Sequence, residues 1–235
     1  MPQDIVFVEN VSRIYQIGET EIHAVKDVTL RLKEGEFTAI VGPSGSGKTT
    51  LLNVIGTLEK PTKGTVYVDG VNTAKLSIEE IAKFRRRNIG FVFQFFNLVD
   101  ALTVYENVEL PLVFDGIPHE KRKKRVEEII KEFELGHLTF KFPEELSSGE
   151  RQRVAIMRAL INNPKIVLAD EPTGNLDSKT GIAILGLFEE LNREKGITIL
   201  MVTHDLSAAK RTKRILHMRD GKITVDQKKE KLPVV

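Results

Sequence analysis

Phe37-Thr38-Ala39-Ile40-Val41-Gly42-Pro43-Ser44-Gly45-Ser46-Gly47-Lys48-Thr49-Thr50-Leu51-Leu52 is the stretch from which the rest of the chain is read. Phe37 to Val41 is a short run of mainly apolar and β-branched residues, which reads as a buried strand. It enters a glycine-rich loop directly, and Thr50-Leu-Leu-Asn-Val-Ile then takes up a helical pattern. Gly42 to Thr49 satisfies G-x-x-x-x-G-K-[ST] in this strand–loop–helix setting. A backbone wrapped around phosphate needs residues without a Cβ, which Gly42, Gly45 and Gly47 supply. Successive N–H groups then point inward, and the following helix adds its positive N-terminal end. Lys48 is placed to bridge β- and γ-phosphates, and the Thr49 hydroxyl to hold Mg²⁺. Pro43, Ser44, Ser46 and Thr50 complete the set of candidate nucleotide contacts.

Outward from the loop, β-rich runs alternate with helical ones. Ile5 to Val8, Val28 to Leu32 and Gly64 to Val68 read as strands, the last closing on an Asp69-Gly70 turn. Ser77-Ile78-Glu79-Glu80 matches a capping box and opens a helix ending near Arg87. Pro118 stands where a helix would start, and Lys121 to Leu135 continues with one apolar face. Lys165 to Ala169 and Ile197 to Val202 read as strands flanking a helix over about 178–195. This alternation implies a parallel sheet covered by helices. The mostly helical stretch from about 95 to 160 reads as an inserted subdomain within one domain, 1–235. The tail after Asp226 reads as a loosely held end.

Composition excludes several classes of function. With 235 residues, 41% apolar and 29% charged, the chain suits one compact globular domain. A net charge of +2 lacks the basic footprint of a nucleic-acid binder, so no nucleic-acid partner is expected. The absence of cysteine excludes disulfides and thiolate metal sites. The start, MPQDIVFVEN, lacks the order of a signal peptide, and no apolar run approaches the roughly 20 residues of a membrane span. A cytoplasmic protein is expected, with any membrane role supplied by a partner.

A phosphate loop alone suits a kinase, a GTPase or a motor. Ile166-Val-Leu-Ala-Asp170-Glu171 narrows the choice, being an apolar strand that ends in two acids. Neighbours in a strand point to opposite sides, so the two carboxylates serve different roles. Asp170 is placed for Mg²⁺, and Glu171 for the attacking water as general base. Leu146-Ser147-Ser148-Gly149-Glu150, before a helical run, is by itself an ordinary N-cap, although a helix start also welcomes an anion.

Taken in order, Tyr15, the loop 42–49, Gln94, Leu146 to Glu150, Asp170-Glu171, Asn175-Leu176-Asp177 and His204 resemble the motifs of ATP-binding-cassette (ABC) transporter ATPases over residues 4 to 225. The resemblance implies a P-loop NTPase fold: a RecA-like parallel α/β core, an N-terminal antiparallel β subdomain and the helical insert. It implies that Tyr15 stacks on adenine and that Gln94 senses Mg²⁺ and water. It further implies that Ser147 and Gly149 contact the γ-phosphate held by a second copy, that Asp177 lies at the dimer seam, and that His204 holds the γ-phosphate. Mg-dependent ATP hydrolysis, a head-to-tail homodimer and integral membrane permease partners follow from it. Two departures stand out, because the family's usual Leu-Ser-Gly-Gly-Gln has become Leu-Ser-Ser148-Gly-Glu150. Tyr15-Gln-Ile-Gly-Glu with Ala24-Val25, Gly90-Phe-Val-Phe-Gln-Phe-Phe-Asn-Leu, Glu106-Asn-Val-Glu-Leu-Pro-Leu and Asp170-Glu-Pro-Thr-Gly-Asn-Leu-Asp-Ser together resemble the lipoprotein-releasing and macrolide-export group. That resemblance implies that the aromatic run Phe93, Phe95 and Phe96 around Gln94 is where the fold meets a transporter's cytoplasmic helices, with core packing the alternative for any single Phe. A soluble ABC-type ATPase and, outside the family, a small-molecule kinase are the alternatives.

Overall fold

The computed structural model describes residues 4–228. Residue contacts divide the chain into two compact units: residues up to 75 with those from 188 onward, and residues 76–187. In chain order the first unit opens with β1 (Asp4–Ile17), β2 (Thr20–Lys33), β3 (Phe37–Val41), α1 (Lys48–Ile55), β4 (Lys63–Val68) and β5 (Val71–Asn72). The second unit carries α2 (Ile78–Asn88), β6 (Ile89–Val92), α3 (Val104–Phe114), α4 (His119–Glu132), α5 (Ser148–Leu160) and β7 (Ile166–Asp170). After α6 (Ser178–Lys195) the first unit resumes with β8 (Thr198–Thr203), α7 (Leu206–Ala209), β9 (Arg214–Arg219) and β10 (Lys222–Lys228).

The first unit holds two sheet regions. An antiparallel sheet runs in the order β2-β1-β4-β5. β1 and β2 form a hairpin with a two-residue loop, Ile17 facing Thr20. Both strands are 14 residues long, far beyond the runs legible in the sequence. The reason lies in Asn10 and Asp27, whose φ angles of 49° and 50° break the apolar alternation at bulges. Asn and Asp tolerate this left-handed backbone better than other side chains. Neighbouring hydroxyls bond the bulged groups: Asn10 N–H donates to Thr29 Oγ1 at 3.1 Å, and Asp27 N–H to Ser12 Oγ at 3.0 Å.

The second region is parallel, with β3 between β8 and β9, and β10 antiparallel on β9. All five residues of β3 and all six of β8 are buried, the continuous burial expected of strands covered on both faces. β9 and β10 have no counterpart among the strands read from the sequence. β10 extends to Lys228, so Gln227 and Lys228 of the expected loose tail lie in a strand; its remainder, residues 229–235, lies outside the described residues.

In the second unit β6 pairs in parallel with β7. Capping boxes open α2 at Ser77 and Glu80, α3 at Thr103 and Glu106, and α5 at Ser147 and Glu150. Each satisfies orphan N–H groups of its first turn. The buried Asn107 amide organises the approach to α3. It donates to the carbonyls of Val99, Leu102 and Thr103 at 3.0, 2.9 and 3.0 Å and accepts from Val99 N–H at 2.8 Å.

Candidate active site

In the first unit the loop between β3 and α1 is wound as the sequence requires. Gly47 takes φ 99°, and a Cβ there would stand 2.1 Å from the Ala24 carbonyl oxygen, so glycine alone fits. As N-cap of α1 it offers no side-chain acceptor to the first-turn N–H groups. Ser46 is 3% exposed, and its Oγ has no hydrogen-bond partner. Lys48 is 7% exposed; its Nζ donates to the carbonyls of Gly42 at 2.8 Å and Pro43 at 3.0 Å. An ammonium with three donors keeps one available in this arrangement. A buried cation, an unpartnered hydroxyl and an uncapped helix start together suit a polyanion.

β3 and β8 run in parallel with Val41 opposite Thr203, so the loop and His204 emerge from the same strand ends. His204 is exposed there, and the cap of α7 is Asp205, which accepts from Ser207 N–H at 2.7 Å. Tyr15 stands near the end of β1, its hydroxyl bonded to Glu59 at 2.5 Å.

In the second unit the register of β6 on β7, Val92 opposite Ala169, brings Gln94 and the Asp170-Glu171 pair to one end of the two strands. β7 closes at Asp170, and Glu171 adopts φ 45°. Glu171 therefore stands in a left-handed turn just past the strand, where strand alternation no longer sets its direction. Such backbone costs on the order of 1–3 kcal/mol in a non-glycine residue and persists where its surroundings hold it. Here Gly174 N–H donates to the Glu171 carbonyl at 3.0 Å.

Gln94 is held from both ends. Asn175 Nδ2 donates to its backbone carbonyl at 2.9 Å, and Gln94 Nε2 donates to Asn175 Oδ1 at 3.5 Å. The next residues, Phe96 and Asn97, both have positive φ, and their carbonyls accept from Arg158 at 2.8 and 2.5 Å. Burial pulls the Arg158 guanidinium below its ordinary value. Of the three aromatic residues, Phe93 stacks on Phe91 at 5.4 Å and Phe96 lies under Arg151; Phe95 is 72% exposed.

Asp177 caps the start of α6. Its carboxylate accepts from Thr180 Oγ1 at 2.5 Å and Thr180 N–H at 3.0 Å, and these bonds, side chain first, hold its pKa below the usual carboxylate range. The Thr180 methyl reaches Gly149, where a Cβ would lie 2.6 Å from it, so the two segments are joined through Thr180. Ser147 N–H and O–H both donate to Glu150 Oε2 at 2.7 Å, and Glu150 N–H returns to Ser147 Oγ at 3.3 Å. Those two bonds, side chain first, lower the Glu150 carboxyl.

Not legible in the sequence were Asn175 as the support of Gln94 and Arg158 as the support of the Phe96 and Asn97 carbonyls, although Asn175 lies within the Asn175-Leu176-Asp177 motif. Sequence reading also missed Gln152, fully buried, whose Nε2 donates to the Pro172 carbonyl at 2.8 Å beside Glu171. A polar residue in the apolar stripe of α5 was the available signal.

The profile of the ABC transporter family matches residues 25–174. The chain belongs to the ABC transporter ATP-binding family. It is 50% identical over 228 residues to the ABC transporter ATP-binding protein MJ0796 of Methanocaldococcus jannaschii, covering 95% of this chain and 97% of that one. It is 47% identical over 227 residues to the macrolide export ATP-binding/permease protein MacB of Campylobacter jejuni. That match takes in 97% of this chain and 35% of the larger protein. A dimeric post-hydrolysis structure of MJ0796 bound to ADP and Pi superposes with a TM-score of 0.88 at 49% identity. It covers 97% of this ABC ATPase chain and 100% of the neighbour.

Proposed function

We propose that this chain is the ATP-hydrolysing subunit of an ABC transporter, and that two copies enclose two ATP molecules head to tail. The observation that carries the reading is the buried Lys48 ammonium beside the unpartnered Ser46 hydroxyl at the uncapped start of α1. Residues Gly42 to Thr50 hold the triphosphate, with Lys48 between β- and γ-oxygens. Thr49, Asp170 and Gln94 serve Mg²⁺, which, when bound, neutralises phosphate charge. The donor set fits that ion, being one hydroxyl, one carboxylate and one amide oxygen, all hard oxygen donors. Mg²⁺ commonly takes one or two carboxylates and completes its shell with phosphate oxygens and water.

Glu171 takes the proton of the attacking water, and His204 holds the γ-phosphate. Tyr15 stacks on adenine. Ser147 and Gly149 face the γ-phosphate bound by the second copy, with Asp177 at the seam. The reaction is ATP + H₂O → ADP + phosphate; binding closes the dimer and hydrolysis reopens it. The dimeric ADP–Pi neighbour supports this cycle.

Residues 1–235 act as one ABC domain, with a helical subdomain at about 95–160. No helix among the described residues is long and apolar enough to cross a membrane. We place the chain on the inner face of the cell membrane through permease subunits, as the ATP-binding/permease fusion in MacB supports. Phe95, at 72% exposure, offers the permease an apolar contact. Phosphate release from ATP and Mg²⁺ without an added acceptor, with co-purification of an integral membrane protein, is the expected result. Strict dependence on an acceptor would overturn the reading in favour of a kinase.

A further inference from the structure

Tyr15 does not stand alone on its strand. Its hydroxyl donates to Glu59 Oε2 at 2.5 Å, and Arg13 Nε donates to the same oxygen at 3.0 Å. The other oxygen, Oε1, accepts from Asn53 Nδ2 at 3.2 Å. The Arg13 guanidinium lies over the Tyr15 ring, 4.5 Å from its centre. Both charged side chains are shielded, Arg13 being 26% and Glu59 23% exposed. Burial pushes the Glu59 carboxyl up, but the bonds from Tyr15, Asn53 and Arg13 outweigh it and keep the carboxylate charged.

The cluster is anchored to the helix that begins at the phosphate loop. Asn53 lies in α1, five residues after Lys48, so about 7.5 Å separates the two along its axis. The chain then folds back through Thr57, at φ 60°, so that Leu58 N–H and Glu59 N–H both donate to the Asn53 carbonyl at 2.9 and 3.3 Å. Thr62 stitches the same segment to β1, its Oγ1 accepting from Ile14 N–H at 3.0 Å and its N–H donating to Ser12 O at 2.8 Å. One helix thus has the phosphate loop at its start and, near its end, the Asn53 amide that holds the carboxylate gripping Tyr15.

We propose that Glu59 is a positioning residue for nucleotide binding: tied to α1 through Asn53 and to β1 through Arg13, it fixes the Tyr15 ring to receive adenine. Arg13 covers one face of that ring, and the base stacks on the opposite face. The proposal rests on the reading of Tyr15 as the adenine platform. It adds the groups that set the ring's angle and its distance from the phosphates. A held ring binds more tightly because its rotamer is ordered before the nucleotide arrives. The ring alone would make Tyr15→Phe silent, whereas its bond to Glu59 makes the hydroxyl matter.

The test compares ATP with inorganic tripolyphosphate, which engages the phosphate loop but has no base. Tyr15→Ala should weaken ATP binding about 5- to 150-fold, the range of base–aromatic stacking. Glu59→Ala should weaken it about 2- to 10-fold, the worth of one ordinary hydrogen bond. Tripolyphosphate affinity should stay within about twofold in both, and Glu59→Ala should add nothing in a Tyr15→Ala background. Glu59→Gln, which keeps an acceptor for the hydroxyl, should restore part of the loss. Should Glu59→Ala fold poorly, Tyr15→Phe removes the same bond and should weaken ATP alone. Equal losses of ATP and tripolyphosphate, or losses that add with Tyr15→Ala, would overturn Glu59 as a positioner while leaving Tyr15 in place. Unchanged ATP affinity in Tyr15→Ala would overturn the platform itself, and the proposal with it.

Discussion

Replacing Glu150 by glutamine should lower stability and yet tighten the ATP-dependent dimer, an opposition that follows from where its carboxylate lies. Glu150 Oε2 accepts from Ser147 N–H and Ser147 O–H, both at 2.7 Å, at the start of α5. The partner's γ-phosphate would use the same helix end, so two anions compete for one positive terminus. An amide retains the geometry but loses the charge. Charge-assisted bonds are about twice as strong as neutral ones, and an anion in the first turn adds about 0.3–1 kcal/mol. Because Glu150 is only half-buried, solvent screening holds the total loss to about 1 kcal/mol, a fall in Tm of about 2–4 °C. Against this, unit charges about 5 Å apart repel by about 1–3 kcal/mol at the dielectric of a wet interface. The repulsion is relieved at both sites of a symmetric dimer. ATP-driven dimerisation should strengthen at least tenfold. Light scattering during an ATP titration, in a Glu171→Gln background to suppress turnover, gives the constant; calorimetry gives Tm. A dimer no tighter than the parent's, alongside the fall in Tm, would refute the competition argument.

Lys48→Ala should abolish tight ATP binding, because Lys48 is the buried cation of the phosphate loop; unchanged nucleotide affinity would sink the assignment. Glu171→Gln should hydrolyse ATP slowly and run as a dimer with ATP but as a monomer with ADP or without nucleotide. Adding Ser147→Arg should disperse that dimer by filling the place of the partner's phosphate, and gel filtration reads both. Acid should loosen the unit of residues 76–187, where bonds from the backbone or hydroxyl of the cap residue hold the carboxyls of Glu80, Glu106 and Glu150 below their ordinary value. Carboxyls lowered on folding stabilise fully above the unfolded pKa, about 4.3 for Glu, and lose that contribution as pH falls through the folded value. Protection of the amides at the starts of α2, α3 and α5, taken relative to the intrinsic exchange rate at each pH, should therefore fall below about pH 4.3 while remaining flat from pH 5 to 7, and a fall already at pH 6 would contradict this.

Much of the molecule was legible without coordinates where the cause is local. The loop Gly42 to Thr49 is set by residues lacking a Cβ between an apolar strand and a helix, and no distant contact is needed to see it. The Ser77–Glu80 capping box and the helix over 178–195 were likewise readable, because their interactions span three or four residues. β6 and β10 were not, since a four-residue strand and a polar edge strand carry little periodic signal.

Tertiary structure decided the rest, and for one physical reason: the partners are far apart in sequence. Tyr15 meets Glu59 across 44 residues, and Gln94 meets Asn175 across 81. No window on the chain contains both ends of either bond. The direction of Glu171 is a different case, since it depends on a left-handed φ that only its folded surroundings hold. The sequence by itself determined the glycine-rich loop Gly42 to Thr49 between an apolar strand and a helix, the site we propose for the phosphate chain. Packing determined which carboxylate steadies Tyr15, which amide steadies Gln94, and that Glu150 occupies the helix end we propose for a partner's phosphate.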